Sequence, residues 1–175
     1  MHNQQQLNNY FSQFWSPRID HYQYSGWALV DKIKPEESVI DIGCGNNPFK
    51  EKIGILVGID PAFGQADHQT ALEDFHTEQR FDVAFCLGSI NFGTEETILK
   101  QIQLVINLLN PTARIYWRCN PGLKDHGNKQ CEDIDFFPWT KQLHKKDAKQ
   151  FGFDLVDIQD DTNNRIYAEW ARSNT

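Results

Sequence analysis

The sequence predicts an α/β fold, an open, doubly wound and mostly parallel seven-stranded sheet with a C-terminal antiparallel hairpin strand and two N-terminal cap helices. Three observations support this fold class. Short β-branched apolar runs end at glycine or an acid, as buried parallel strands do. Stretches with helical apolar spacing separate several of these runs, and two runs joined by a polar turn close the chain. A length of 175 residues favours a single domain, divided here into a helical cap (1–35) and a sheet core (36–175).

Composition and charge narrow the class of protein. Aromatic residues make up 13 % of the chain, which favours a folded core over disorder. The net charge of −7 gives no general attraction for phosphate backbones, so nucleic acid is not expected as a partner. Apolar runs stay well short of the ~20 residues of a membrane span, so no membrane partner is expected. A polar start and four widely spaced cysteines predict a cytoplasmic protein with reduced thiols: Cys44, Cys86, Cys119 and Cys131.

Two helices are expected before any strand. The apolar residues of the first recur at the spacing of one helical face: Leu7, Tyr10, Phe11, Phe14 and Trp15. Ser16 and Pro17 are typical of a helix cap and first helical residue, because proline lacks an N–H that would be left unpaired there. This second helix carries Trp27, Val30 and Ile33 and ends before Pro35.

The sheet core begins at Ser38. Strands are predicted over Ser38–Gly43, Gly54–Asp60 and Phe81–Leu87, with a third, weakly patterned strand near Asp67–Ala71. Thr94 is expected to cap a helix whose apolar face is Ile98, Ile102, Val105 and Leu109.

The remaining elements follow the same alternation. Asn110 and Pro111 are predicted to end that helix, and Ala113–Cys119 forms the next strand. A helix is then expected over residues 140–150, followed by strands at Phe153–Gln159 and Arg165–Ala171 around a turn rich in Asp and Asn.

A ligand site is predicted where the first strand ends. Gly43 and Gly45 lie in the turn to the next helix, where glycine lets the backbone approach a ligand closely and adopt positive φ. Asp60 ends the following strand, and an acid there can accept hydrogen bonds from both hydroxyls of a ribose. Together these features predict a nucleotide-like ligand in the crevice beyond the carboxyl ends of the strands.

These residues resemble a known family. VIDIGCG, GILVGID, FDVAFCLGSIN and LLNPTARIYW, in this order and spacing, are similar to the class I S-adenosylmethionine-dependent methyltransferases. The resemblance runs from Ser38 to the C-terminus, and the terminal GFDLVDI…RIYAEW hairpin matches the reversed last strand of that family's seven-stranded sheet.

The resemblance implies S-adenosyl-L-methionine as cofactor and assigns residues to its parts. The methionine end would lie against the glycine loop and the end of the fourth predicted strand: Asp41, Gly43, Cys44, Gly45, Leu87 and Gly88. The ribose and adenosine would lie against Asp60, Pro61 and Ala62. Adenine would contact the segment containing Leu72, Glu73 and Asp74.

Two positions depart from the family pattern. Asn47 stands where a third glycine is common, and asparagine tolerates left-handed φ. Ala71 stands where an acid often contacts adenine, and Glu73 or Asp74 can substitute for it.

The implied acceptor is a small molecule methylated on oxygen or nitrogen. The fourth predicted strand runs into GSINFG, which lacks the Asn/Asp-Pro-Pro-aromatic motif of enzymes that methylate amino groups of bases or glutamine. His126, His21 and Tyr22 are the candidate catalytic residues. Glu132, Asp133 and Asp135 have oxygen ligands, but loop acids are usually solvated, so no metal is predicted.

Two other functions stay open at this stage. A non-catalytic module that binds S-adenosylmethionine or S-adenosylhomocysteine for regulation or assembly would need the same pocket. A nicotinamide-dependent oxidoreductase is disfavoured, because Pro48 replaces the last glycine of GxGxxG. The sequence leaves open whether the protein is a monomer or a homodimer.

Overall fold

The computed structural model describes residues 4–13, 19–123 and 134–174. The three α-helices are α1 (Gln4–Gln13), α2 (Glu95–Asn107) and α3 (Lys141–Gln150). The six strands are β1 (Val39–Ile42), β2 (Leu56–Ile59), β3 (Phe81–Leu87), β4 (Leu109–Cys119), β5 (Phe153–Asp161) and β6 (Arg165–Arg172). Single 3₁₀ turns or short 3₁₀ helices occupy Ile19–His21, Trp27–Lys32, Pro48–Glu51, Leu72–Asp74 and Thr162–Asn164.

The strands form one mixed sheet in the order β2-β1-β3-β4-β6-β5. β1 to β4 pair in parallel, whereas β6 is antiparallel to both β4 and β5. The α/β class and the antiparallel C-terminal hairpin are therefore confirmed. From β1 the chain moves outward to β2 and then crosses back to β3 on the other side of β1. The strand order thus reverses between β1 and β3, which is where open α/β sheets bind their ligands.

Both faces of the sheet are covered. On one face, Ile98 and Ile102 of α2 and Ala148 of α3 pack into a large apolar cluster with the inward side chains of the strands. On the other face, Leu29 and Phe49 of two 3₁₀ helices belong to a smaller cluster. Thr94 and Thr140 cap α2 and α3 by accepting the backbone N–H of the residue three positions on.

The prediction of seven strands is wrong for the described residues, which form six. The third predicted strand, Asp67–Ala71, is reduced to one parallel bridge between His68 and Ile59. The Asp67 side chain accepts the backbone N–H of Gly58 in β2 at 2.8 Å. A side-chain carboxylate thus takes the place of a backbone carbonyl that a neighbouring strand would supply. The chain then turns away, and Thr70 and Ala71 line the cavity described below.

The second cap helix is also not an α-helix where the structure describes it. Trp27, Val30 and Ile33 recur every three residues, which matches the three-residue turn of a 3₁₀ helix. Its predicted start at Ser16 and Pro17 lies outside the described residues.

The end of α2 differs from the prediction as well. α2 ends at Asn107, so Leu109 and Pro111 belong to β4, at an irregularity in its pairing with β3 where proline is tolerated.

Candidate functional site

A cavity of about 760 Å³ lies at the carboxyl ends of β1, β2, β3 and β4. This volume falls in the range that holds drug-sized ligands and cofactors. Ten of the twelve residues assigned to the cofactor from the sequence line it: Asp41, Gly43, Cys44, Asp60, Pro61, Ala62, Leu72, Glu73, Leu87 and Gly88. Gly45 and Asp74 do not line it.

The glycine turn after β1 depends on three left-handed residues. Gly43, Gly45 and Asn47 have φ of 71°, 59° and 61°. Asn47 thus adopts the conformation that a third glycine would give, as its residue type predicts. A Cβ on Gly43 would lie 2.4 Å from the Cβ of Ser89, so only glycine lets this turn pass beneath the loop that follows β3.

Asp60 ties the glycine turn to the end of β2. One carboxylate oxygen accepts the N–H of Gly45 at 2.9 Å, and the other accepts the N–H of Ala62 at 2.7 Å. Burial raises the pKa of Asp60, while these backbone donors act in the opposite direction. A carboxylate has about four acceptor positions, so about two remain for a ligand.

Asp41 is a buried carboxylate at the wall of the cavity. It is 3 % exposed, and among the described residues no side chain or backbone donor hydrogen-bonds its carboxylate. Burial, with a smaller contribution from the charge of Asp60, raises the pKa of Asp41 to about 7. A buried anion without a partner is costly, so this site favours a cationic ligand.

The segment assigned to adenine contributes two of its three residues. Leu72 and Glu73 line the cavity, and Glu73 accepts a hydrogen bond from Gln101 of α2 at 2.9 Å. Asp74, next in the same 3₁₀ turn, faces the neighbouring surface groove around His68 and His76.

Buried hydrogen bonds hold the loop after β3. Gly88 has a φ of 92°, which turns the chain out of the sheet. The Asn91 side chain accepts the N–H of Asn120 at 3.1 Å, and the Trp139 indole donates to the Ile90 carbonyl at 2.8 Å. The loop is therefore a fixed wall of the cavity.

The remaining walls come from the segments that the sequence analysis did not assign to the cofactor. Leu7, Tyr10 and Phe11 of α1 line the cavity. Phe11 makes an edge contact with Phe92 at 5.5 Å between ring centroids, and Phe92 in turn contacts Phe136 at 5.3 Å. This part of the cavity therefore has an aromatic surface.

Two arginines line the cavity near β4 and β6, and sequence reasoning missed both. Arg118 is 7 % exposed and Arg165 is 8 % exposed. Arg118 contacts Asp161 at 3.2 Å, donates to the Ser25 hydroxyl at 3.2 Å, and lies 3.8 Å from the Tyr22 ring centroid. The available signal was the charge itself, since ARIYWRC places an arginine beside the end of an otherwise buried strand.

Of the three catalytic candidates, one lines the cavity in the described structure. Tyr22 lines the cavity. His21 does not; its side chain is half-exposed and lies 3.3 Å from the Asp20 carboxylate. His126 lies outside the described residues.

Metal ligands and thiols add no further reactive group to the described site. Within residues 4–13, 19–123 and 134–174, no three His, Cys, Asp or Glu side chains form a metal site. Glu132 and Asp133 lie outside that part of the chain, whereas Asp135 lies inside it. Cys44, Cys86 and Cys119 are free and buried, and burial raises the pKa of each thiol. Among the described helices, none is long and apolar enough to cross a membrane.

Several solved structures similar to this one are named as methyltransferases. The chain superposes on magnesium protoporphyrin IX methyltransferase from Synechocystis PCC 6803 with bound SAM, with a TM-score of 0.68 and 14 % identity over 99 % of this chain and 98 % of that one. N-methyltransferase NodS from Bradyrhizobium japonicum, in complex with S-adenosylhomocysteine, gives a TM-score of 0.58 and 16 % identity over 78 % of each chain. The 1,6-didemethyltoxoflavin-N1-methyltransferase of Burkholderia thailandensis gives 0.58 and 14 % over 79 % of this chain and 72 % of that one.

These likenesses establish the fold. They confirm, at that level, the resemblance to S-adenosylmethionine-dependent methyltransferases. No family model matches the sequence, and a search of curated proteins finds no significant match.

Proposed function

We propose that this chain is an S-adenosylmethionine-dependent methyltransferase that acts on an oxygen or nitrogen atom of a small molecule. The observation that carries the proposal is the buried Asp41 carboxylate, which faces the cavity at the reversal of strand order with no hydrogen-bond donor among the described residues. The solved structures of the same fold with SAM or S-adenosylhomocysteine support this choice of ligand.

The chemistry of the cofactor fits the two acids. S-adenosylmethionine has a cationic ammonium and a cationic sulfonium, and a positive charge near Asp41 would stabilise its ionised form. Asp60 retains acceptor positions for the two ribose hydroxyls after it has bound the N–H groups of Gly45 and Ala62. We therefore assign Asp41 to the methionine end of the cofactor and Asp60 to the ribose.

The rest of the cofactor assignment follows the walls of the cavity. The left-handed turn at Gly43 brings backbone close to the methionine end, where Cys44, Leu87 and Gly88 also lie. Pro61, Ala62, Leu72 and Glu73 are proposed to surround the adenosine. Gly45 does not line the cavity, and we propose that it positions Asp60 through its hydrogen bond to that carboxylate. Asp74 is not included among the proposed cofactor-binding residues.

The protein's contribution to the reaction is chiefly positional. When bound, the cofactor supplies a methyl group on sulfur, to which the acceptor's lone pair forms a bond while the carbon–sulfur bond breaks and S-adenosylhomocysteine is left as a neutral thioether. The walls formed by α1, the loop after β3 and Tyr22 would hold the acceptor in line with that bond. A proton lost by the acceptor passes to water or to a nearby base.

A non-catalytic binding module is the second candidate function. No histidine, the side chain that most often serves as a general base, is among the described residues that line the cavity. Release of S-adenosylhomocysteine over a panel of small hydroxyl and amine acceptors distinguishes the two functions, since a module binds the cofactor without turnover.

Isothermal titration calorimetry tests the cofactor assignment. We expect one S-adenosylhomocysteine to bind per chain, and Asp60→Ala to weaken binding about tenfold or more, because two hydrogen bonds to a charged acceptor are lost. Glu78→Ala removes an exposed acid that does not line the cavity, and it serves as the matched control. Equal affinities for wild type and Asp60→Ala would remove the ribose assignment.

A further inference from the structure

The acidic and the basic side chains that line the cavity come from different parts of the sheet. Among the described residues, the acids that line it are Asp41, Asp60 and Glu73, and the cations are Arg118 and Arg165. Asp41 lies in β1 and Asp60 follows β2, whereas the arginines lie in β4 and β6. Neighbouring strands are about 4.8 Å apart, so in the order β2-β1-β3-β4-β6 the two groups of charges are separated by roughly 10–20 Å.

An ion pair and a backbone hydrogen bond hold the two arginines at this end of the cavity. Asp161 forms an ion pair with Arg118, but it does not line the cavity and its side chain is fully buried. A turn in which Asn163 and Asn164 have φ of 62° and 57° places the Asn163 carbonyl to accept a hydrogen bond from Arg165 at 2.8 Å. Both guanidinium groups therefore line the cavity, whereas the aspartate that pairs with Arg118 does not.

We infer that the acceptor of this methyltransferase is an organic anion, with a carboxylate or phosphate group that Arg165 and Arg118 bind at the β4–β6 end of the cavity. The inference rests on the proposed function, because it assigns the acid-lined half of the cavity to the cofactor. Guanidinium groups bind carboxylates and phosphates through paired, charge-assisted hydrogen bonds. The aromatic rings of Phe11, Phe92 and Phe136 suit an apolar or aromatic body on the same molecule.

Binding of matched probes tests this inference. Protein saturated with S-adenosylhomocysteine is titrated with 4-hydroxybenzoate, with phenyl phosphate, and with the neutral 4-hydroxybenzamide. We expect at least one of the anions to bind about tenfold more tightly than the amide, and that preference to weaken at high salt. Whichever of the two anions binds better identifies the group that the arginines select.

Two variants test whether Arg165 causes the preference for the anion over the amide. Arg165→Gln keeps a similar length without the charge, and it should bring the anion to the affinity of the amide while leaving S-adenosylhomocysteine affinity unchanged. Arg80→Gln is the matched control, because Arg80 is exposed, does not line the cavity, and donates to the backbone carbonyls of Thr77 and Gln79. It should preserve the preference.

The results that would contradict this inference differ from those that would contradict the proposed function. If 4-hydroxybenzamide binds wild type as tightly as the anions, if neither anion binds, or if the preference survives in Arg165→Gln, the inference is wrong. If S-adenosylhomocysteine itself does not bind, the proposed function fails, and the anion preference is then measured on the protein alone. The wild-type comparison of anion and amide decides the inference even if the variant does not fold.

Discussion

Asp41 connects the stability of the free protein to the proposed binding of a cationic ligand. Its pKa is raised from an ordinary value of 3.8 to about 7 by burial and by Asp60. An acid whose pKa is higher in the folded state favours the protonated folded form, so stability falls as pH rises from about 4 to about 7 and stays low above that. A shift of this size corresponds to a cost on the order of 4 kcal/mol.

Asp41→Asn should therefore stabilise the free protein at about pH 8, with a difference that shrinks towards about pH 4, and should weaken binding of S-adenosylhomocysteine at the same time. Calorimetric melting of both proteins across this range, without ligand, measures the first effect, and titration measures the second. A variant that melts below wild type at about pH 8 would contradict the electrostatic argument.

Single residues were the most predictable part of the site. Asp60, Gly43 and Asn47 could be assigned because their positions after a strand limit what they can do: accept hydrogen bonds or adopt positive φ. Arg118 and Arg165 were not assigned: the charge in ARIYWRC was a local signal for Arg118, but its position in the same cavity as Arg165 depends on the order of the strands in the sheet.

At the scale of elements, Asp161 at the end of β5 holds the N-terminal segment against the hairpin. Its carboxylate accepts the backbone N–H groups of Gln23, Tyr24 and Ser25 as well as the Ser25 hydroxyl. Burial acts to raise the pKa of Asp161, but Ser25, the backbone N–H of Thr162 and the charge of Arg118 together lower it. Its contribution to stability is thus present above about pH 4 and is lost as pH falls further.

Asp161→Ala should destabilise the protein by about 3–5 kcal/mol, because the buried Arg118 loses its ion pair and four backbone donors lose their acceptor. Urea unfolding of this variant is compared with that of Asp160→Ala, because the exposed Asp160 side chain forms a surface ion pair with Lys141. We expect a change within about 0.5 kcal/mol for the control. Similar effects of the two substitutions would contradict the role given to Asp161.

Elements with strong local signals were predicted well. β3, α2 and the hairpin follow from apolar runs, a threonine cap and a polar turn. The third strand was over-predicted because the Asp67 side chain replaces part of its ladder, and the helix through Trp27 was assigned the wrong type because a three-residue period was interpreted as an α-helical face.

At the scale of the whole molecule, the sheet order gathers residues that are distant in sequence. The reversal between β1 and β3 places the glycine turn, Asp60 and the loop after β3 at one edge, while β4 and β6 bring Arg118 and Arg165 to the same cavity. The fold thus separates an acidic half, suited to a cationic nucleoside, from a basic half, suited to a second ligand.

A crystal structure of the protein with S-adenosylhomocysteine tests this arrangement most directly. We expect the ribose hydroxyls on the Asp60 carboxylate, the ammonium group beside Asp41, and open space between the ligand's sulfur and Arg165. A nucleoside bound elsewhere, or a cavity filled by the protein's own side chains under saturating ligand, would contradict the account.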